Sequence, residues 1–519
     1  MQKNLVLAIV LSSIVYIFWF SVIEKRPTVN QTQVATQTTV QKPVANAPIT
    51  QATAIKIEKF ENQSANIPSA IEKIKIEKSE YSISSKGAQI TGLKYEGPVS
   101  SAELIIDPSS SLLGSFENYD FKLVEKKAYN LKFESRTNKN FLIKKNYNFD
   151  KNSGINTLEI SISNLNSQSI IFEEWQLKMG PGLGTVKNEE KENTKLWQAK
   201  YTVLEKNRKH PVINKIKENT SIDDWTWVGI DNRYFLAAII GNDDLTGNTS
   251  ILYDNPKIND KKTPFISMPF AASSLRPNET KTWRIDFYIG PKDYAKLEAL
   301  GHGLDRSVDF GFFSPLAKLA NSSLMYFFNM TGNYGFAIII LSVILQILMF
   351  PLSWKSYKAM NMMRVLQPEL QLLQKKYKDD PKRLNTEVMQ MYKKHGTNPL
   401  GGCLPMLLQI PIFFALFTAL RNNWALHGAD FIFWITDLSS KDPYYVLPIT
   451  MGLIMLLQQH VTPQAAGGDK GQMAVMKWMP VIFTCMFLFF PAGLVLYWLI
   501  NSVSSFTQQL YLQKQSKDA

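Results

Sequence analysis

The sequence predicts a polytopic α-helical membrane protein carrying a large all-β domain outside the cytoplasm. Two patterns point there. An uncharged apolar run at residues 333–352 is followed at once by a basic loop, and about 20 helical residues reach ~30 Å, the thickness of a bilayer's hydrocarbon core. Between about 55 and 295, apolar and polar residues alternate with period two, as in KIKIEKSEYSIS and TLEISISNL, with turn signals between the runs. That is the signature of antiparallel strands. The whole-chain averages, 45% hydrophobic and 19% charged over 519 residues, look soluble because they mix unlike parts.

Residues 5–23 form a first apolar run with Phe18, Trp19 and Phe20 where an interface belt would sit. Glu24, Lys25 and Arg26 follow instead of a small-residue cleavage site, so an uncleaved anchor over 1–23 is expected rather than a signal peptide. Residues 24–54 read as a flexible linker: between Pro27 and Ala54 the one charge is Lys42, amid Gln, Thr, Val, Ala and Pro. The β domain occupies 55–300. Its Gly180, Gly182 and Gly184 lead into no predicted helix and read as a turn, not a phosphate loop. Trp225, Trp227 and Trp283 fall in strand-like segments as core.

Residues 301–332 hold an amphipathic helix, with Leu316, Leu319, Ala320, Leu324, Phe327 and Phe328 at helical spacing opposite Lys318, Asn321 and Ser322. It would lie flat on the outer membrane surface or pack on the β domain. After the span at 333–352, residues 354–398 carry ten Lys/Arg against four acids, which places this loop in the cytoplasm. It reads as a helical hairpin. One arm carries Met360, Met363, Leu366 and Leu370, the other Leu384, Val388 and Met391. Packing of the arms on each other and an adaptable methionine-rich surface for varied apolar partners both fit.

Further apolar runs at 400–420, 445–460, 476–490 and 494–512, with a turn at Pro491-Ala492-Gly493 and a polar tail at 513–519, bring the expected total to six spans. Counting from the cytoplasmic loop puts both termini in the cytoplasm and the β domain outside. In a bacterium with two membranes that means the periplasm.

Several function classes drop out. The five histidines are scattered, with no HExxH, Walker loop, nucleophile elbow or carboxylate within a span. No enzymatic chemistry, metal or cofactor is expected, and an ion-coupled carrier would need an ionisable group at mid-membrane. Cys403 and Cys485 fall inside spans as packing residues, so no disulfide framework is implied. The net charge of +13 fits orientation and anionic lipid better than recognition of a nucleic-acid sequence. What remains is a set of uncharged polar groups within the spans: Ser342, Gln346, Gln409, Thr450, Gln458, Thr484, Asn501 and Ser505. They fit interhelical hydrogen bonding. They also fit a wetted groove for the polar part of a chain crossing the membrane.

GNYGFAIIIL (332–341), MFPLS (349–353), NPLGGCLPMLLQIPIFFALF (398–417), DLSSKDPYYVLPI (437–449) and MPVIFTCMFLFFPAGLVLYW (479–498) together resemble the YidC membrane protein insertases. The resemblance is dense over about 310–512 and looser before it, where an anchor, a linker and a domain ending in FYIGPKD match the Gram-negative architecture. It implies an energy-independent insertase and chaperone of the inner membrane, with a periplasmic β-sandwich domain and a five-helix core. Working alone or beside the Sec translocon and its accessory subunits, it would take nascent membrane proteins from a transiently bound ribosome into the phospholipid bilayer. Their spans would slide along a groove open to cytoplasm and lipid, and the hairpin, through Met360, Met363, Leu366 and Met391, would make first contact. The short KQSKDA tail offers little to a tail-based ribosome tether. Ser342, Tyr497 and Trp498 match groove positions that contact substrate. Position 346 is where the family usually carries an arginine, and here it is Gln346. That departure sets aside charge attraction of an acidic substrate tail and leaves hydration and membrane thinning.

Overall fold

The computed structural model describes residues 70–518 except 98–100, 108–109, 152–153, 206–209, 244, 259, 379, 397–403 and 462–469. The expected anchor, the linker and Cys403 lie outside the described residues. The chain divides into a larger body (56–357, 400–462 and 483–519) and a smaller one that includes 358–399 and 463–482.

Two nine-stranded sheets form the β domain, and the strands within each pair antiparallel. Alternation decides which side chains face the sandwich core. In Asn156–Asn164, Leu158, Ile160 and Ile162 are wholly buried. Ser161 and Ser163 point the other way and hydrogen-bond across the strand pair to Thr282 and Thr280 at 2.9 and 2.7 Å. The strand Phe235–Ile240 is buried at every position. Phe235, Ala237 and Ile239 enter the sandwich core, while Leu236, Ala238 and Ile240 meet a second layer built from Tyr294, Leu297, Leu304 and Phe310. A strand covered on both faces reads as a continuous apolar run. Trp225 and Trp227 are fully buried and Trp283 nearly so, and Gly180 and Gly182 take positive φ in the expected turn.

Helices follow as α1 (Glu190–Leu196), α2 (Tyr294–Leu300), α3 (Ser314–Thr331), α4 (Tyr334–Val365), α5 (Gln367–Lys376), α6 (Pro381–Lys394), α7 (Leu404–Arg421), α8 (Val446–Val461), α9 (Lys470–Phe487) and α10 (Ala492–Asp518). By length and composition α4 suffices to cross a membrane, whereas the apolar stretches Leu408–Arg421, Val446–Val461 and Lys477–Phe487 are shorter. In the larger body, Ile338 and Leu341 of α4, Leu416 of α7, Met451 of α8 and Val495 of α10 share one apolar core. In the smaller body, α5 and α6 pack on each other.

Four expectations are corrected. The helix begun at Tyr334 continues through Pro351 to Val365 instead of ending before the hairpin. A proline inside a helix removes one amide donor and crowds the carbonyl four residues back, and a membrane-length helix carries it where neighbouring groups satisfy the freed carbonyl. Helix α10 runs to Asp518, because the residues read as a tail include no glycine or proline to stop it. On α3 the buried stripe is Ala317, Asn321 and Leu324, while Leu316 and Leu319 are exposed, since the small Ala317 allows close approach to Ala415 and Ala419 of α7. Cys485, expected to pack, is exposed. The hairpin follows the first of its two readings: Met363, Leu366 and Met391 are buried between the arms with Leu370 and Tyr392, and Met360 packs against that cluster. Helical spacing puts them on the seam that two short arms must bury.

Candidate functional site

The polar face of α4 meets α10. Ser342 is buried and turns its hydroxyl back to the Ile338 carbonyl at 2.6 Å, within its own helix. One turn on, Gln346 is also buried; its Nε2 donates to Ser505 Oγ at 3.5 Å, and Gln508 Nε2 donates to the Gln346 carbonyl at 3.5 Å. Both cross-helix contacts sit at the long limit of hydrogen bonding, so they hold the helices weakly and exchange readily for another polar partner.

A second polar contact lies nearer the start of α10. Gln409 Nε2 donates to the Tyr497 hydroxyl at 2.6 Å, tying α7 to α10. Next to it, the Trp498 ring is edge-on to Phe413 at 5.0 Å and lies 5.3 Å from Phe487. Of the four residues expected in the groove, Gln346 therefore faces the carboxy-terminal half of α10, Tyr497 is tied to α7, Trp498 is wedged among aromatics, and Ser342 is satisfied by its own helix. Sequence reasoning missed Gln508. Its signal is the spacing Tyr497, Asn501, Ser505, Gln508, which lays a polar stripe along one face of α10. Among the described residues, no group of three or more His, Cys, Asp or Glu could hold a metal.

The loop between α7 and α8 fixes the starts of three helices. Asn333 caps α4, accepting from Gly335 N at 2.8 Å and donating to the carbonyls of Asp430 and Phe431. Asp442 accepts from Leu447 N at 2.7 Å at the start of α8. The amides of Ala492 and Gly493, at the start of α10, donate to the carbonyls of Ser440 and Leu438 at 2.7 and 2.9 Å. Within this loop, burial opposes ionisation of Asp437, but hydrogen bonds from Ser440, Ser439 and the Gly428 amide outweigh it, and the carboxyl titrates below its usual range.

The model of the 60Kd inner membrane protein family matches residues 326–519, and that of the YidC periplasmic domain matches residues 107–320. The membrane protein insertase YidC of Endomicrobium trichonymphae is 37% identical over 540 aligned positions, which take in 100% of this chain and 99% of that one. The chain belongs to the YidC family. A YidC of Geobacter metallireducens is 46% identical over 288 residues, covering 56% of this chain and 52% of the relative. The crystal structure described as an active YidC insertase with its first transmembrane domain resolved covers 85% of this chain at 15% identity and a TM-score of 0.37. YidC proteins are bacterial inner-membrane proteins with a periplasmic domain, which here is the two-sheet sandwich.

Proposed function

We propose that this chain inserts and folds integral membrane proteins into the bacterial inner membrane, using the hydrogen-bonding face shared by α4 and α10 as the path for the substrate's polar part. The observation that carries this reading is Gln346, a buried carboxamide on a membrane-length helix whose partners Ser505 and Gln508 are held at 3.5 Å. An unpaired polar group costs several kcal/mol in hydrocarbon. A groove lined with weakly engaged carboxamides and hydroxyls lowers that cost for a crossing segment, while the segment's apolar part leaves for lipid. Neither step needs bond-making chemistry, so the chain works as an insertase and chaperone rather than as an enzyme.

The further parts of this proposal follow from the same reading. Six spans put both termini in the cytoplasm and the β domain in the periplasm. The hairpin's exposed Met362, Val365, Leu372 and Met389 make first contact with apolar nascent segments. Substrates arrive from ribosomes or from the Sec translocon. The domain limits are 1–23, 24–54, 55–300, 301–332, 333–512 and 513–519.

The test is site-specific photocrosslinking from positions 342 and 346 to a ribosome-bound chain exposing one hydrophobic span. Crosslinks from both positions, lost when the span is made polar, are expected. Crosslinks from the hairpin alone would make the polar face interhelical glue.

A further inference from the structure

The loop between α7 and α8 holds two tryptophans in unlike surroundings. Trp424 is buried, its ring 4.8 Å from Phe235 in the sandwich core. Ten residues on, Trp434 is half-buried at a tip, 431–436, that carries no charge between Asp430 and Asp437. Beside it Phe433 is 87% exposed, the most exposed large apolar side chain among the described residues. Its backbone takes φ 53°, in the left-handed region that a bulky side chain rarely adopts. The tip is held there by Phe431 N to the Ile435 carbonyl at 2.9 Å and Ile435 N to the Ile432 carbonyl at 3.1 Å, while Trp434 Nε1 donates to Asp442 Oδ1 at 3.0 Å. A strained backbone that keeps an apolar ring in the open calls for a partner.

Two more aromatic rings are exposed at the same end of the helices. Tyr444, 69% exposed, stands edge-on to Trp434 at 6.5 Å, and Phe489, 79% exposed, belongs to the turn between α9 and α10. That turn meets the loop where the amides of Ala492 and Gly493 donate to the Ser440 and Leu438 carbonyls. The level is that of the start of α4, because its cap Asn333 donates to the carbonyls of Asp430 and Phe431. From here two apolar stripes, exposed or half-buried, run along the helices. On α4 the stripe is Phe336, Ile340, Val343 and Ile347, at spacings of four, three and four. On α8 it is Val446, Ile449, Leu453 and Leu457, at three, four and four. An outward apolar stripe on a helix of an inner-membrane protein is a lipid face. A docking patch for a protein is rimmed by polar residues, whereas Phe336 and Val446 carry this aromatic rim directly into the stripes.

We propose that the tip at 431–436 is a lipid anchor: Phe433, with Tyr444 and Phe489, sits at the boundary between phospholipid headgroups and acyl chains, at the end of the bilayer where α4 begins. This rests on the reading of α4 as a span. The chemistry suits that boundary. Phe433 has no polar group, and leaving water is the favourable direction for its ring. Trp434 and Tyr444 each join an apolar ring to a polar end, the kind of side chain that collects at membrane interfaces. Asp430 and Lys441, both exposed, flank the tip at headgroup level. Lys441 Nζ donates to the Tyr445 hydroxyl at 3.1 Å, and an ammonium has further donors for a lipid phosphate. Because the same loop holds the starts of α4, α8 and α10, seating it in lipid fixes the depth at which all three enter. Gln346 follows Tyr334 by twelve residues, about 18 Å along the helix, so its depth is set from this end.

The test places the photoreactive residue p-benzoylphenylalanine at position 433, 444 or 489 of the full chain in phosphatidylethanolamine–phosphatidylglycerol vesicles. Position 348, on the exposed face of α4, is the lipid reference, and position 129, exposed on the β domain, is the aqueous one. Phospholipid adducts are read by mass spectrometry. We expect yields at 433, 444 and 489 close to that at 348 and well above that at 129. A yield at 433 no higher than at 129, with adducts at 348, overturns the inference and leaves α4 a span. Crosslinks from 433 to a second copy of the chain in place of lipid overturn it as well. No adduct at 348 overturns the reading of α4 as a span and this inference with it. Phe433→Asn suits a left-handed backbone but removes the ring, so it should lower the adduct yield at 444. An unchanged yield there would show that Phe433 does not seat the loop and would overturn its role as the anchor.

Discussion

Gln409 donates its side-chain amide to the Tyr497 hydroxyl at 2.6 Å, and this contact ties α7 to α10 beside the packed ring of Trp498. Both partners are neutral, so the bond contributes about 0.6 to 1.5 kcal/mol. Breaking it from either end should cost about as much as breaking it from both. We expect Gln409→Leu and Tyr497→Phe each to lower stability by about 1 kcal/mol, and the double variant to lose little more than either one. Thermal unfolding of the purified chain with both singles and the double checks this, and strictly additive losses would show that the two side chains do not cooperate.

At Gln346 the expected outcome is tolerance of charge and intolerance of its apolar replacement. In Gln346→Arg the guanidinium finds Ser505 and Gln508 as neighbours and retains insertion. Gln346→Leu removes the carboxamide from the half-buried Ser505, and losing one hydrogen bond of this kind costs about 0.5 to 1.5 kcal/mol. Insertion yields of the two variants decide it. Abolished insertion in Gln346→Arg would exclude a hydrated site at this position.

What could be read in the sequence follows from which forces are local. Alternation along Asn156–Asn164 and apolar length in α4 are local; the strand forms where the pattern puts it, and α4 starts there but runs on past Pro351. The buried run Phe235–Ile240 has neither period, because its second face is covered by residues far along the chain. The same holds at the candidate site. Ser342 and Gln346 stand out as polar groups in an apolar helix, but the partners of Gln346 on α10 are more than 150 positions away, and no spacing rule specifies a contact across that distance. Trp424 is harder still, since an aromatic residue in a loop carries no sign of the pocket that receives it. The hairpin shows the converse: its methionines were legible as an apolar face, and packing against the second arm turned that face inward.

For the hairpin, two sets of apolar residues should behave differently. Met391 is 4% exposed, and Met391→Ala should destabilise the hairpin by about 2 to 5 kcal/mol through the cavity it leaves. Leu372 and Met389 are 67% and 58% exposed, so Leu372→Ser with Met389→Ser should leave stability nearly unchanged while reducing crosslinking to a nascent apolar span. Limited proteolysis of residues 358–396 beside crosslinking yield separates the two effects. Equal loss of protease resistance in both variants would contradict the assignment of faces.

Lys145 gives the β domain a pH dependence. The side chain is fully buried, donates to the carbonyls of Gly87 and Ser115 at 2.6 and 3.1 Å, and lies between the rings of Phe116 and Phe121. Burial pushes its pKa down to about 7 from 10.5. Between those values the unfolded chain binds more protons than the folded one, so stability rises with pH across that window and levels off below it. Urea unfolding of the full chain, followed by tryptophan fluorescence, should show higher stability at pH 9 than at pH 7. Lys145→Met should flatten the difference, and a slope unchanged in that variant would assign it to other groups.

Gly335 tests how tightly the loop between α7 and α8 is seated on α4. An alanine in the first turn of a helix normally stabilises relative to glycine, by up to about 1 kcal/mol. Here a Cβ would lie 1.9 Å from Phe431 Cδ2, and Phe431 is itself 8% exposed, with its carbonyl accepting from Asn333. The ring cannot yield without moving the loop, and overpacking of this kind costs about 1 to 3 kcal/mol. The clash outweighs the helix gain, so Gly335→Ala should be net destabilising. Relief of the clash should then restore the ordinary sign: in a Phe431→Ala background the same change at 335 should be neutral or stabilising. Unfolding midpoints of the two singles and the double are the measurement. If Gly335→Ala stabilises the otherwise unaltered chain, Phe431 does not occupy the space over the start of α4.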